Sequence, residues 1–493
     1  MGGHGGGHGG GKYSPVKCFG NIFISFVGAG VLGLPYAFSM AGVLESCVIL
    51  AFAGMVCTKA MLMLVECKDH LIARGYRPAE NRGPTTPRKS RPADDKIELD
   101  RLDGGPGATE LLLDGHDAES GNGNGVVNGH GNGHASAKGV GSGAAAVAGG
   151  GGNDEVMLDY GDLAQEAAGD RGWWLAQASI VMSQVGFCCA YLIFITHNVS
   201  SLLKTVTPNE VLMMVLVPEV LLVNIRDLSR LGIFSLLADA ANIFAYCVVF
   251  SFDFAKVEET GLHGRMEKVD GFPFFLGVAI YCYEGAGMII TLESSVPKEH
   301  RKDFPRIFRS AIFVITMLYM FFGASGYISY GNETEKIITL NMPQGPFPSL
   351  VKACLSFSLF FTYPVMMFPV SALLDKLIAS AVDPSAPMDP SSSSFFRGTA
   401  MRAGLVALSG VVVVAIPDFA AIMGLIGSTC CMLLALILPG YFHLKIFGSH
   451  LSDKERCFDY FLILLGIFGF ILGTRDAIER IMSSSDGPSE EVL

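Results

Sequence analysis

Charge is what this sequence has least of. Asp, Glu, Lys and Arg make up 16% of its 493 residues while half are apolar, against roughly a quarter charged in soluble globular domains. So little polar surface excludes a water-soluble globule of this length. A basic excess is also missing: the net charge is −11, and nothing points to a nucleic acid partner. The twelve cysteines form no disulfide framework. The predicted outer loops near 255–270 and 332–346 hold none, and the pairs Cys188-Cys189 and Cys430-Cys431 lie inside apolar runs. No zinc-ligand spacing occurs, so no metal or cofactor is expected. No nucleophile–base pair stands out either, which argues against an enzyme. The first apolar block is too long for a cleavable signal and reads as a span that stays.

What the chain has instead is apolar blocks. About eleven are long enough to cross a hydrocarbon core, near 18–40, 42–66, 173–203, 209–223, 232–254, 271–292, 308–331, 347–374, 398–416, 418–444 and 458–474, since a crossing takes roughly 20 helical residues. Lipid offers backbone groups no other partner, so an all-α polytopic membrane bundle is expected. The expected organisation is a Gly/His-rich tail over 1–17, one transmembrane domain over 18–66 and 172–474, and a short tail over 475–493. Between the second and third spans, 67–171 reads as a mostly disordered linker. It is dominated by Gly, Asn, Asp and Ser and cannot bury enough apolar area to offset chain entropy. A second linker is expected over Asp383–Phe395. Lys and Arg cluster in alternate loops: Lys68, Arg74 and Arg77, then Arg226 and Arg230, then Lys298–Arg309, then Lys445, Lys454 and Arg456. By the positive-inside rule these loops and the N-terminus are cytosolic and the C-terminus is on the other side. That side also carries the glycosylation sequon at Asn332.

The stretch "ISFVGAGVLGLPYAF", Ile24–Phe38, matches the dinucleotide fingerprint G-x-G-x-x-G at Gly28, Gly30 and Gly33. The fingerprint needs a soluble helix and an acidic residue about 20 positions on. No Asp or Glu stands near position 53, and the next residues are apolar apart from Glu45 and Lys59. Glycine tolerates non-helical dihedrals and Pro35 suits the first turn of a new helix, so Gly28–Leu34 reads as an unwound hinge inside a span. The other membrane reading is that these glycines only allow close helix packing. A second copy decides between them. In the sixth block, "YCYEGAGMIITLE", the triplet Gly285-Ala286-Gly287 repeats Gly28-Ala29-Gly30, directly after Glu284. Interruptions at the first and sixth positions of a five-plus-five arrangement are what an inverted-repeat transporter predicts.

These residues also carry a resemblance. "GAGVLGLPYAFSMAG" (Gly28–Gly42), "GFCCAYLIFITHN" (Gly186–Asn198), "CYEGAGMIITLESSV" (Cys282–Val296) and "IGSTCCMLLALILPGYFHLK" (Ile426–Lys445) resemble the first, third, sixth and tenth spans of the amino acid/auxin permease family. The likeness is closest to plant vacuolar neutral amino acid transporters. It implies eleven spans, a 5+5 inverted repeat with helices 1 and 6 broken plus one extra helix, and alternating access. The animal proton-coupled branch has a histidine about two turns before the glycine motif; Asn21 stands there in this chain.

The substrate expected from this reading is a small neutral amino acid. Its carboxylate meets free N–H groups at Gly30–Gly33, because a helix N-terminus attracts anions. Its ammonium meets carbonyls freed near Val27–Gly28 and Tyr283–Glu284. The expected substrate-binding set is therefore Val27, Gly28, Ala29, Gly30, Gly33, Tyr283, Glu284, Gly285, Ala286 and Gly287, with Tyr191 of the third span as a hydroxyl donor or as packing. Glu284, an intramembrane carboxyl, is a candidate proton carrier or gate; the alternative is a carboxyl that bridges unwound backbone. His197 and Asp239 are further proton-coupling candidates, the first alternatively a structural hydrogen-bonding group, the second alternatively a partner of Lys59 or a group facing water. Thr362 lies where sodium-coupled relatives of the fold place a cation, or bonds its own helix. The expectation is a secondary transporter moving neutral amino acids from a vacuolar lumen to the cytosol, with protons as a candidate coupling ion. The alternatives are an amino acid-sensing receptor, a channel, or a plasma-membrane symporter of the same fold.

Overall fold

The computed structural model describes residues 14–76, 158–225, 232–266, 268, 271–382 and 392–485. The tail with His4 and His8, the linker interior, Arg77, Arg226, Arg230 and the last eight residues lie outside the described residues. Every regular element described is helical. In chain order they are α1 (Pro15–Phe26), α2 (Leu34–Ala41), α3 (Val43–Ala73), α4 (Tyr160–Leu203), α5 (Pro208–Val223), α6 (Gly232–Thr260), α7 (Phe272–Cys282), α8 (Ala286–Ser294), α9 (Phe304–Tyr330), α10 (Pro346–Val382), α11 (Ser392–Ala415), α12 (Phe419–Ile426), α13 (Leu438–Phe447) and α14 (Asp453–Ser485).

Among the described residues, nine helical segments are long and apolar enough to cross a membrane, or ten when α1 and α2 count as one span bent by 49°. The α7–α8 pair passes as one segment, whereas α5, at 16 residues, falls short of that length. The eleven apolar blocks of the sequence correspond to α1–α2, α3, α4, α5, α6, α7–α8, α9, α10, α11, α12–α13 and α14. The breaks recur five spans apart. Helix starts follow local chemistry. Thr207 and Glu210 exchange side-chain to backbone bonds at the head of α5, and Asp159 and Asp162 do so at the head of α4, each satisfying N–H groups that a helix start leaves unpaired. Between the first two spans a single residue, Gly42, makes the reversal at φ 84°, a conformation that penalises any residue with a Cβ.

Several expected boundaries move. Helix α3 continues to Ala73 and α4 begins at Tyr160, so both ends of the 67–171 segment are helical. The capping box draws α4 back into that segment, and a kink at Gly169 (φ 63°) separates its first turns from the apolar part, which is why composition alone starts the span near 173. Helix α11 begins at Ser392, inside the expected second linker, and α14 runs to Ser485, past the expected end at 474. In the tenth span Gly427–Cys431 and Leu433–Ile437 are wound as π-helix ahead of Pro439. Proline removes an N–H from the ladder, and such bulges gather at functional sites.

One apolar core runs through the bundle, and some of the ionisable groups inside it are paired. Lys68, 1% exposed, reaches the buried Glu293 of α8, which Arg301 also approaches at 3.6 Å. The loop position of Lys68 in the charge pattern therefore hides a structural ion pair. His443 of α13 takes both carboxylate oxygens of the fully buried Asp459 at 2.9 and 3.0 Å.

Candidate functional site

The two breaks lie against each other. A Cβ on Gly30 would stand 3.0 Å from Cys282 Sγ and 3.2 Å from the Tyr281 ring, and one on Gly285 would overlap the ring of Phe26. The hydroxyl of Tyr319, on α9, lies 2.7 Å from the Phe26 carbonyl and 3.3 Å from the Cys282 carbonyl. One phenol thereby serves the last turn before each interruption. Tyr246 of α6 adds a bond to the Gly28 carbonyl at 3.3 Å.

Between α1 and α2 the chain passes through an extended Gly28 into a short 3₁₀ turn, Ala29–Gly33, and Pro35 opens α2. The first N–H groups of that turn, at Ala29 and Gly30, have no partner within the turn, as at any helix start. Among the described residues the carbonyls of Val27 and Tyr283 accept no hydrogen bond from the main chain. Space exists beside them: a Cβ on Gly28 or on Gly287 would meet nothing within 4 Å. Gly28, Glu284 and Gly287 are half-buried amid buried neighbours.

The second break is chemically different from the first. Glu284 directly precedes the first turn of α8 and is half-buried beside Ala286 and Gly287. Its Oε2 has no partner. The free donors at the first break and the carboxyl side chain at the second make the two sides of the site different, with anion-seeking N–H groups on one side and a carboxyl on the other.

The other residues named from sequence fall as follows. The Tyr283 side chain turns away, its hydroxyl 2.8 Å from Thr316. Tyr191 is buried on α4, close enough to act electrostatically on Tyr246 and Tyr281. His197 lies near the far end of α4, half-buried, and does not join the breaks. Lys59 pairs with Glu66 at 3.5 Å, not with Asp239, because the next turns of its own helix supply a nearer carboxylate. Asp239 is half-buried on α6. The Thr362 hydroxyl bonds the Ser358 carbonyl of its own helix at 2.8 Å. Asn332 is exposed in a 3₁₀ turn.

Sequence reasoning passed over Tyr281 and Tyr319. Tyr281 is buried, stacks edge-on against Phe187 with ring centres 4.8 Å apart, and its hydroxyl has no partner. Two residues away from Tyr283, it had no distinguishing signal in the sequence. Beyond the breaks, on the side of Asp418, Phe419 and Met423 press on Gly33. Above them a cavity of about 140 Å³ is lined by Tyr36, Phe274, Lys336, Asp418, Arg480 and Ser483. There Lys336 pairs with Asp418, and the Arg480 guanidinium lies 4.5 Å from the Phe274 ring centre.

A pair of facing, interrupted spans with unpaired main-chain groups is the apparatus of a carrier for small polar solutes. The family comparison agrees: the model for transmembrane amino acid transporter proteins matches residues 11–81 and 147–479. The chain belongs to that family. Amino acid transporter ANT1 of Arabidopsis thaliana is 29% identical over 486 residues, covering 95% of this chain and 93% of its own. Amino acid transporter AVT3A of the same plant is 28% identical over 481 residues, with 96% and 91% covered. Vacuolar amino acid transporter 3 of Schizosaccharomyces pombe is 23% identical over 338 residues, with 65% and 49% covered. Among solved structures, Mhp1, a nucleobase-cation-symport-1 family transporter, aligns at TM-score 0.45 and 11% identity over 96% of this chain and 93% of its own. This family member is an integral membrane protein that transports amino acids, and its relatives are transporters, not enzymes.

Proposed function

We propose that the chain is a secondary transporter of neutral amino acids, working by alternating access from a vacuolar lumen to the cytosol in symport with protons. The observation that carries the reading is the pair of facing breaks, with unpaired N–H groups at Ala29 and Gly30 and unpaired carbonyls at Val27 and Tyr283. The substrate carboxylate takes the N–H groups of the first break, at Gly28–Gly33. Its ammonium takes the Val27 and Tyr283 carbonyls, with the Glu284 carboxyl close by at the head of Gly285, Ala286 and Gly287. Backbone groups read the part that all amino acids share, so many side chains are accepted. The wall formed by Tyr191, Tyr246 and Tyr281 brings no charge, which favours neutral ones. The plant and yeast relatives named as amino acid transporters, one of them vacuolar, support the membrane assignment. The charge pattern supports a cytosolic N-terminus and a lumenal C-terminus.

Competition against uptake of labelled alanine tests the zwitterion reading. Free alanine competes, while N-acetylalanine and alanine methyl ester, each missing one charged end, do not. Equal competition by either derivative would overturn it.

A further inference from the structure

The bundle holds a second intramembrane carboxyl, and its surroundings are the reverse of those around Glu284. Glu219 sits in the last turns of α5 with 0% exposure, and neither side-chain oxygen has a hydrogen-bond partner. Among the described residues its oxygens meet no hydrogen-bonding cation. Cys188 of α4 and Tyr363 of α10 face it closely enough to feel its charge. From α11, Ser409 meets the Tyr363 hydroxyl at 2.7 Å, and Arg402 on the same helix is engaged by Asp375. A carboxylate with no donor and no cation in an apolar interior is among the costliest arrangements a protein can hold. Glu284, by contrast, stands half-buried at the break that precedes α8. The position also has a connection to the transport site: Cys188 donates to the Tyr363 carbonyl at 3.8 Å, and its neighbour Phe187 stacks edge-on against Tyr281, whose ring lies against Gly30. Pro218, immediately before, removes an N–H from the α5 ladder, so this turn is the least tied part of its helix.

We infer that Glu219 is the proton-binding site of the carrier: the neutral acid occupies the closed α4–α5–α10–α11 junction, and the proton leaves only when that junction opens to water. The inference rests on the transport reading above and assigns its coupling ion to a residue. Proton release would put an unpaired charge into the closed junction, so the protein cannot close until Glu219 is protonated again. That condition ties proton movement to the opening and closing of the substrate site. The step is a bare protonation equilibrium at one carboxyl oxygen, with water as donor and acceptor.

The test uses the full chain in proteoliposomes with labelled alanine, read in two ways: exchange at equal pH, and accumulation driven by an imposed pH gradient. Glu219→Gln should keep exchange within about twofold of wild type and lose gradient-driven accumulation. Glu219→Asp should retain part of it. Gradient-driven accumulation by Glu219→Gln equal to wild type overturns the assignment. If Glu219→Gln loses exchange as well, Glu219→Asp decides. Recovery of exchange with accumulation supports the assignment. Recovery of exchange alone, or of neither, overturns it in favour of a structural role. Wild-type exchange that ignores pH overturns the proton assignment alone, whereas wild-type protein that exchanges no amino acid overturns the transport reading beneath it.

Discussion

The Tyr319 hydroxyl lies 2.7 Å from the carbonyl oxygen of Phe26, a residue 293 positions earlier in the chain. The same oxygen sits 3.3 Å from the Cys282 carbonyl, so one side chain of the seventh span steadies the broken ends of the first and the sixth. Tyr319→Phe keeps the ring and its packing on Tyr283, 5.6 Å away between centres, and deletes only that support. Leaving buried carbonyls without a donor costs about 1–3 kcal/mol. Purified Tyr319→Phe should unfold at lower temperature or denaturant than wild type and transport more slowly; unchanged values in both assays would remove the bridge from the account.

Each break pairs a crowded glycine with an open one. A Cβ at Gly285 overlaps the Phe26 ring, while one at Gly28 meets nothing within 4 Å. Gly285→Ala should therefore lower both folded yield and transport. Gly28→Ala should fold as wild type and raise KM, since its methyl group enters the space left for substrate. Uptake kinetics normalised to membrane abundance read both. The reverse ordering would show that the open space lies elsewhere.

Glu284→Gln keeps the size of the side chain but removes the carboxyl. The expected result is reduced amino acid uptake with unchanged membrane abundance, checked by surface labelling and uptake in the same vesicles. Wild-type uptake would free Glu284 of any role in holding the substrate ammonium.

The buried pair Lys68–Glu293 joins α3 to α8. Removing Lys68 leaves the buried Glu293 with only Arg301, at 3.6 Å, to offset its charge, so the loss stays below the roughly 3–5 kcal/mol of a fully unpaired buried charge. Lys68→Met should be the more damaging change, and Lys68→Met with Glu293→Gln should recover most of the loss. Thermal unfolding of the three proteins tests this; equal losses in single and double variants would contradict it.

Lys336 stands in the loop after α9, outside the spans. Partial burial lowers its pKa, but the hydrogen bond and charge of Asp418 outweigh that and hold it above the ordinary lysine value of 10.5. A raised pKa means the pair's contribution is complete below that ordinary value and is lost as pH rises through the raised one. The Lys336–Asp418 contact should accordingly stay charged across the whole pH range of vacuole and cytosol. Accessibility of a cysteine introduced at Ser483, in the cavity wall, should not change between pH 5.5 and 7.5 in wild type and should rise at both in Lys336→Met. A pH-dependent change in wild type that Lys336→Met abolishes would make this contact a pH sensor instead.

The spans were legible because lipid imposes a simple rule: a long apolar run must be a helix. The breaks were legible for the converse reason, since three glycines and Pro35, or Glu284 with Gly285 and Gly287, violate that rule in the middle of a run. Residues whose importance depends on a partner were not. Tyr319 acts on a carbonyl, a group that every residue has, and Tyr281 is marked out by a hydroxyl without a partner, which only coordinates display. Glu219 stood in plain view in "VLVPEVLLV", and the reasoning applied to Glu284 would have found it. The helical start of α4 was missed because capping by Asp159 and Asp162 operates within a stretch whose overall composition reads as linker.

Everything proposed for transport depends on a small zwitterion binding between the two breaks and crossing with them. Counterflow in proteoliposomes measures this most directly: vesicles loaded with unlabelled alanine, diluted into labelled alanine, with and without a pH gradient. The account predicts transient accumulation of label, enhanced when the outer, lumen-equivalent side is acidic. No counterflow for any neutral amino acid, or conductance without trans-stimulation, would contradict it.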